Sequence, residues 1–322
     1  MGSSFLQIFN PVLVCFNFSQ MSVISKILKK CSVMQWGIGL AKGNIDDVIR
    51  KKTLSLSFTW LPQDSKLHFI ADPFIFKNKQ GNINVLYEDF SIEKDGVISL
   101  KTVDHNFKQI FQKELLKTGS HLSYPFVFKE NGITYIIPES HQQGKVSVYE
   151  YDFDNNKLIN EKILIDLPLL DATILKYNNK YWLFASKGDG VHDNNKLYIY
   201  HADTLLGQYK PHTKNPVRNH LDGTRPAGNF IEVDGSFYRP AQNCAEFYGK
   251  SITINKITKL TETEFEEERH FDITAATNST FNAGLHTINV VDDVIVIDGI
   301  KLLFMPMTKT RLFLKECFLK WK

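Results

Sequence analysis

FIADPFIF at 69–76, HLSYPFVF at 121–128, LLDATILK at 169–176, GTRPAGNFI at 223–231 and AGLHTINVV at 283–291 are five versions of one strand. Each begins with a polar or aromatic residue and continues into a short, mostly apolar stretch. Each is followed by a tight polar turn and a second strand. The pairs are Gln80-Gly81 before NINVLYEDF, Asn131-Gly132 before ITYIIPES, Asn178-Asn179 before KYWLFASK, Asp234-Gly235 before SFYRPAQN and Asp292-Asp293 before VIVIDGIK. Turn pairs of this chemistry between stretches of period-2 alternation are hairpin signals. A third strand is visible in VISLKTVD, KVSVYEYD, KLYIYHAD and SITINKIT, and a weaker fourth in QIFQKELL and KILIDLP.

Aligning the five units makes Asp72, Tyr124, Asp171, Arg225 and His286 equivalent, at separations of 52, 47, 54 and 61 residues by subtraction. That period is one four-stranded blade, so the sequence predicts an all-β, five-bladed β-propeller. A two-sheet sandwich also has short strands and regular turns, but does not explain one strand-opening signature at near-constant spacing. The stretch at 53–60 is expected to complete the last blade and close the ring. The domain reading is an N-terminal extension at 1–33, a propeller at 34–306 and a basic amphipathic tail at 307–322.

Composition agrees with a folded all-β protein: 43% hydrophobic and 23% charged residues, with 24 Phe and 12 Tyr, which favour strands. A formal charge of +3 with scattered Lys and Arg gives no nucleic-acid footprint. Cys15, Cys31, Cys244 and Cys317 lie far apart without a CxxC pair, indicating neither a zinc site nor a disulfide framework, and a reducing cytoplasm is the expected compartment. Residues 1–20 are apolar but lack a basic start and are broken by Asn10, Pro11, Asn17 and Ser19, a poor signal peptide. Met21 is read as an alternative start. No run of 18 apolar residues predicts a membrane span.

In a propeller the innermost strands line the central channel, so the five equivalent positions converge although they are spread over more than 200 residues of sequence. Two carboxylates, a phenol, a guanidinium and an imidazole would then face one cavity. Burying several ionisable groups together is unfavourable unless they pair or act, which makes the ring a candidate site. The alternative is that Asp72 and Asp171 cap turns or pair with Arg225. The second strands add Glu88, Glu139, Lys187, Arg239 and Asn243 near the rim, about half of which alternation points away. Glu139 ends an apolar stretch after Pro138, so a raised pKa suited to a general acid is expected. Glycoside chemistry needs a protonated and an ionised carboxyl at about 5–5.5 Å or 6.5–9.5 Å, which Asp72 with Glu139 or Asp171 can supply.

ADPF at 71–74, with Asp171 opening the third unit, resembles the five-bladed glycosidases of families 43 and 32. That resemblance implies one Asp as base or nucleophile, a second as modulator or stabiliser, and a Glu as acid. Where that acid would open the fourth blade, this chain has Arg225. A longer resemblance runs through IADPFIF, YEDF, SYPFVF, PES, DATIL, WLFAS, LYIYHAD, PHTKNPV, RPAGNFI, YRPAQNC and YGKSI, covering roughly 34–270. It is similar to the domain at the N-terminus of plant glucosamine inositolphosphorylceramide transferases, whose stand-alone bacterial relatives are associated with surface polysaccharide synthesis. The resemblance implies a carbohydrate context.

The leading expectation is an enzyme of surface polysaccharide or glycolipid assembly that transfers or processes a sugar. In it Asp72, Asp171 and Glu139 are catalytic, Arg225 binds an anionic group, and Glu88, Tyr124, Lys187, Arg239, Asn243 and His286 contact substrate. Its partners are a glycan, nucleotide sugar or lipid-linked sugar, with neither metal nor cofactor. The alternatives are hydrolysis by the glycosidase route, and a non-catalytic glycan-binding module in which Tyr124, Tyr238 and Trp182 stack on sugar rings. In RLFLKECFLKWK at 311–322, Phe313, Leu314, Cys317, Phe318 and Trp321 share one helical arc opposite basic residues. This helix would either lie on the inner face of a membrane or pack on the propeller.

Overall fold

The computed structural model describes residues 31–91, 94–187 and 195–310. The chain opens with β1 (Ser32–Lys42), a short helix α1 (Ile45–Lys51) capped by the Asn44 side chain, and β2 (Thr59–Trp60). Four complete sheets follow in order. The first blade is β3 (His68–Lys77), β4 (Ile83–Ser91), β5 (Lys94–Val103) and β6 (Gln109–Leu116). The second is β7 (Ser123–Glu130), β8 (Ile133–Glu139), β9 (Val146–Asp152) and β10 (Lys157–Ile165). The third holds β11 (Leu169–Tyr177), β12 (Lys180–Lys187), β13 (Lys196–Ala202), β14 (Lys210–Pro211) and β15 (Arg218–Asn219). In the fourth, β16 (Asp222–Pro226) and β17 (Ile231–Val233) both pair with β18 (Ser236–Asn243), followed by β19 (Ser251–Leu260) and β20 (Phe265–Thr274). The fifth takes β21 (Ile288–Val291) and β22 (Val294–Phe304) from the end of the chain and β1 and β2 from its beginning. The result is the expected five-bladed propeller, with a short helix at 306–310 after it. The amphipathic pattern at 311–322 and the extension at 1–30 lie outside the described residues.

Ring closure differs from the sequence expectation. The stretch at 53–60 contributes only the two-residue edge strand β2, whereas β1 pairs with β22 along its whole length, from Ser32↔Phe304 to Lys42↔Val294. Pairing β1 from one chain end with β22 from the other closes the ring. β1 is apolar on both faces because it lies inside a blade stacked between two others, so it lacks the clean alternation that marks a half-exposed strand.

Turn chemistry works as read. Asn131-Gly132, Asn178-Asn179 and Asp234-Gly235 each have both residues at positive φ, the type I′ geometry that fits strand twist. Neighbouring blades pack face to face. Phe74 and Phe76 of the first blade meet Tyr124 and Phe126 of the second and Ile174 of the third. Trp182 and Phe184 of the third pack with Leu260 of the fourth, and Ile252 of the fourth with Ile288 of the fifth. Ile38 and Val296 of the fifth close on Ile70 and Val85 of the first.

Candidate functional site

All five innermost strands break their pairing at the same level. Register shifts lie between Ala71 and Phe74, Ser123 and Phe126, Leu170 and Thr173, and Asp222 and Pro226. In the fifth blade the isolated bridge at Gly284 is separated from β21, which begins at Ile288. Asp72, Tyr124, Asp171, Arg225 and His286 sit in these breaks. A bulge re-aims the side chain it carries. Asp72, Tyr124 and Asp171 adopt φ of 51°, 41° and 53°, a left-handed conformation that a non-glycine residue, and a tyrosine above all, holds only where its surroundings enforce it.

The breaks deliver a cluster of polar contacts. The Thr287 hydroxyl donates to Asp72 Oδ1 at 2.9 Å, Tyr124 N donates to Asp72 Oδ2 at 3.3 Å, and His286 Nε2 lies 3.6 Å from Asp72 Oδ1. Across the channel Arg225 grips Asp171 with both Nε and Nη2, the second at 3.1 Å. The same Nη2 reaches Glu139 Oε2 at 3.3 Å, and Gln242 Nε2 donates to Asp171 Oδ2 at 3.1 Å. His141 Nδ1 pairs with Glu139 Oε1 at 2.8 Å and His121 Nε2 with Glu88 Oε1 at 3.1 Å. Trp36 stacks on the His286 ring with centroids 4.0 Å apart, and Tyr248 meets its edge.

These environments drive the carboxyls apart. Burial, with Glu88 and Asp298 nearby, lifts Asp72 to about 6 against the opposing His286 and Thr287. Burial and the Glu139 charge carry Asp171 well above the usual carboxylate range despite Arg225. Glu139 is equally buried, but the His141 hydrogen bond and the Arg225 charge overcome that and hold it down at about 2. The expectation of a raised Glu139 pKa is therefore corrected: its neighbour Asp171 keeps the proton, and the two share Arg225 as counterion. Burial disfavours charge on His286, yet Asp298 and Asp72 outweigh it and raise it to about 9.

Among the candidates, Asp72, Glu88, Glu139, Asp171, Arg225 and His286 are brought together, and four are placed otherwise than expected. Tyr124 is fully buried. Its Oη accepts from Gly228 N at 2.8 Å and lies 2.8 Å from Thr173 Oγ1, so it ties blades two, three and four together and offers no sugar-stacking face. Arg239 is buried against Glu267, 2.7 Å away, and donates to the carbonyls of Gly223 and Thr224, because alternation along β18 sends Gln242 to Asp171 and Arg239 to the opposite face. Asn243 accepts from Ala245 N within its own turn, and Lys187 lies over Tyr198. Trp182 and Tyr238 are core residues. Arg225 is occupied by the side chains of Asp171 and Glu139, which removes the reason to read it as an anion clamp.

Sequence reasoning missed Asp298, Thr287, His121, His141, Gln242, Tyr248 and Trp36. Asp298 alone had a signal, as the one acid in the buried stretch VIVIDGI at 294–300. Asp72, His286 and Asp298 bring possible ligand atoms within 4.8 Å of one another. The imidazole already lies between the two carboxyls as their cation, and we assign the group no metal. Chemically, the site offers one carboxyl raised to about 6, one pushed well above the usual carboxylate range and one held below it, the separation that acid–base chemistry uses.

Residues 61–290 match the family described as glucosamine inositolphosphorylceramide transferase 1, N-terminal. Among curated proteins, the glucosamine inositolphosphorylceramide transferase 1 of Arabidopsis thaliana is 36% identical over 208 residues, covering 62% of this chain and 27% of that protein. The protein of the same name from Oryza sativa subsp. japonica is 32% identical, covering 62% and 28%. The chain thus matches only about a quarter of the length of these relatives. Among solved structures, the catalytic domain of the Coprinopsis cinerea GH62 α-L-arabinofuranosidase superposes with a TM-score of 0.57 at 13% identity, covering 71% of this chain and 80% of that one. A GH43 β-1,3-galactosidase gives 0.52 at 11% identity, covering 68% and 82%. At these identities the likeness is one of fold.

Proposed function

The chain belongs to the family of the glucosamine inositolphosphorylceramide transferase N-terminal domain, and on that premise we propose that its propeller acts on a sugar in glycan or glycolipid assembly. The observation that carries this reading is the convergence of Asp72, Asp171, Arg225 and His286, from four different blades, at the level where every inner strand breaks. In the proposed mechanism Asp72 accepts the proton of an acceptor hydroxyl, because a carboxyl near 6 is mostly ionised at neutral pH yet a stronger base than an ordinary carboxylate. Asp171, protonated beside Glu139, is the proton donor, a role the sequence had given to Glu139. The cluster holds five carboxyls, Asp72, Glu88, Glu139, Asp171 and Asp298, against one guanidinium and three imidazoles. A neutral or amino sugar therefore fits it better than a uronate. A nucleotide or lipid-linked sugar is the proposed donor, and the cytoplasmic side of a membrane the proposed setting.

Hydrolysis is the second reading, favoured by Asp72 and Asp171 standing where the glycosidase resemblance places its acids. It is opposed by Arg225 in place of the glutamic acid. Incubating the protein with a panel of nucleotide sugars and short glycosides, followed by mass spectrometry, separates the two by product. Turnover that disappears in Asp72→Asn supports catalysis at this pocket. Sugar binding without turnover, unchanged by Asp72→Asn, leaves a glycan-binding module instead.

A further inference from the structure

Asp298 lies in the middle of β22, fully buried, and its carboxyl collects four donors from two blades. Oδ1 accepts from His286 N at 2.8 Å and Thr287 N at 3.0 Å. Oδ2 accepts from Asp72 N at 3.2 Å and pairs with His286 Nδ1. Three of these donors are backbone N–H groups freed where the inner strands of blades one and five leave their ladders. An unpaired buried N–H is strongly unfavourable, so the side chain replaces the missing strand partner at both breaks.

The arrangement also orients the imidazole. With Nδ1 on Asp298, Nε2 is left facing Asp72 Oδ1 at 3.6 Å, and the ring is fixed between Trp36 on its face and Tyr248 on its edge. The groups that face His286 are Asp298 from its own blade, Asp72 from the first, and Arg225 and Tyr248 from the fourth. We propose that Asp298 is the positioning residue of this site: through His286 and the Asp72 backbone it fixes the orientation and charge of the imidazole–carboxyl pair that meets the substrate. The imidazole in turn lowers the Asp72 pKa against the rise caused by burial. This role rests on the reading of Asp72 as the working carboxyl, but its physical core can be measured without any substrate.

The experiment is a titration of the full chain labelled with 13C at the histidine Cε1 position, with His286 assigned by the signal missing in His286→Gln. Asp298→Asn keeps an oxygen for the two Oδ1 hydrogen bonds and removes the charge, whereas Asp298→Ala removes both. In the wild type His286 is expected to titrate near 9, and Asp298→Asn to lower its midpoint by at least about one unit, tenfold in proton affinity. With a turnover assay in hand, the alkaline limb of kcat/KM moves down with that midpoint while KM changes little. An unchanged midpoint in Asp298→Asn, or a kcat/KM loss that is uniform across pH, overturns the proposal. A wild-type midpoint near the ordinary 6.5 also overturns it, and that measurement decides even if neither variant folds. Absence of turnover in the wild type would count against the proposed function alone.

Discussion

Asp72 occupies a left-handed turn at φ 51° while its carboxyl is held by Thr287 and Tyr124 N. Asparagine tolerates that conformation and keeps an acceptor, so Asp72→Asn is expected to change stability by less than about 1 kcal/mol while lowering turnover by about a hundredfold or more. Asp72→Val, with a branched Cβ at positive φ and no acceptor, is expected to destabilise by about 2–4 kcal/mol in urea unfolding. Arg225 gives a second contrast. Replacing it with Met leaves Glu139 charged and buried without its guanidinium and Asp171 without two donors, with an expected cost of about 3–5 kcal/mol. Lysine should recover only part of this, because it lacks the fork that holds Asp171 at two points. Both appear as shifts of the denaturation midpoint. The candidates that could be read at this scale were those opening a repeated strand. Lys187, Arg239 and Asn243 were chosen from second strands, where one step of alternation decides which face a side chain takes.

The elements place these residues by interruption. Five inner strands run as regular ladders except at one level, and the functional side chains occupy the gaps. Gly228 serves one gap: its φ is 134°, and a Cβ there would stand 1.9 Å from the Ile288 carbonyl oxygen, while its N–H donates to Tyr124. Gly228→Ala is therefore expected to destabilise by at least about 2 kcal/mol and to broaden the NMR signals of residues on both sides of the seam between blades four and five. At the closing blade, deletion of residues 1–42 removes β1 and leaves β22 without its partner. Loss of the cooperative unfolding transition is expected, checked by calorimetry, because β1 contributes Ile38 and Leu40 to the seam with blade one. The 53–60 stretch misled the closure reading because its alternation is that of a strand, yet its apolar residues Leu54, Leu56, Phe58 and Trp60 pack on the core with ladder pairing at only two residues.

For the molecule as a whole, the buried charges set a pH window. Glu139 sits at about 2 against an ordinary 4.5, so its stabilisation is present above 4.5 and lost as pH falls toward 2. His286 sits at about 9 against 6.5, so its contribution is complete below 6.5 and lost as pH rises through 9. Asp72, raised from 3.8 to about 6, acts in the opposite sense to Glu139 and lowers stability as it ionises between those values. Urea unfolding from pH 3 to 10 should show greatest stability near 4.5, a decline from 4.5 to 6 that is shallower in Asp72→Asn, and a further fall above 6.5.

The repeat, the turns and the family could be read from sequence because each depends on local chemistry: alternation, positive-φ pairs and an ordered string of short motifs. The ring of Asp72, Asp171, Arg225 and His286 could be read for the same reason, since equivalent positions in a repeat converge by symmetry. Tertiary structure alone decided the protonation order. The side chains that set it include His141 from the turn after β8 and Thr287 and Asp298 from the fifth blade, and a buried pKa depends on distances between groups that no local pattern encodes. It also decided which N-terminal strand closes the ring, because a strand buried on both faces carries its apolar residues without a period that names its partner.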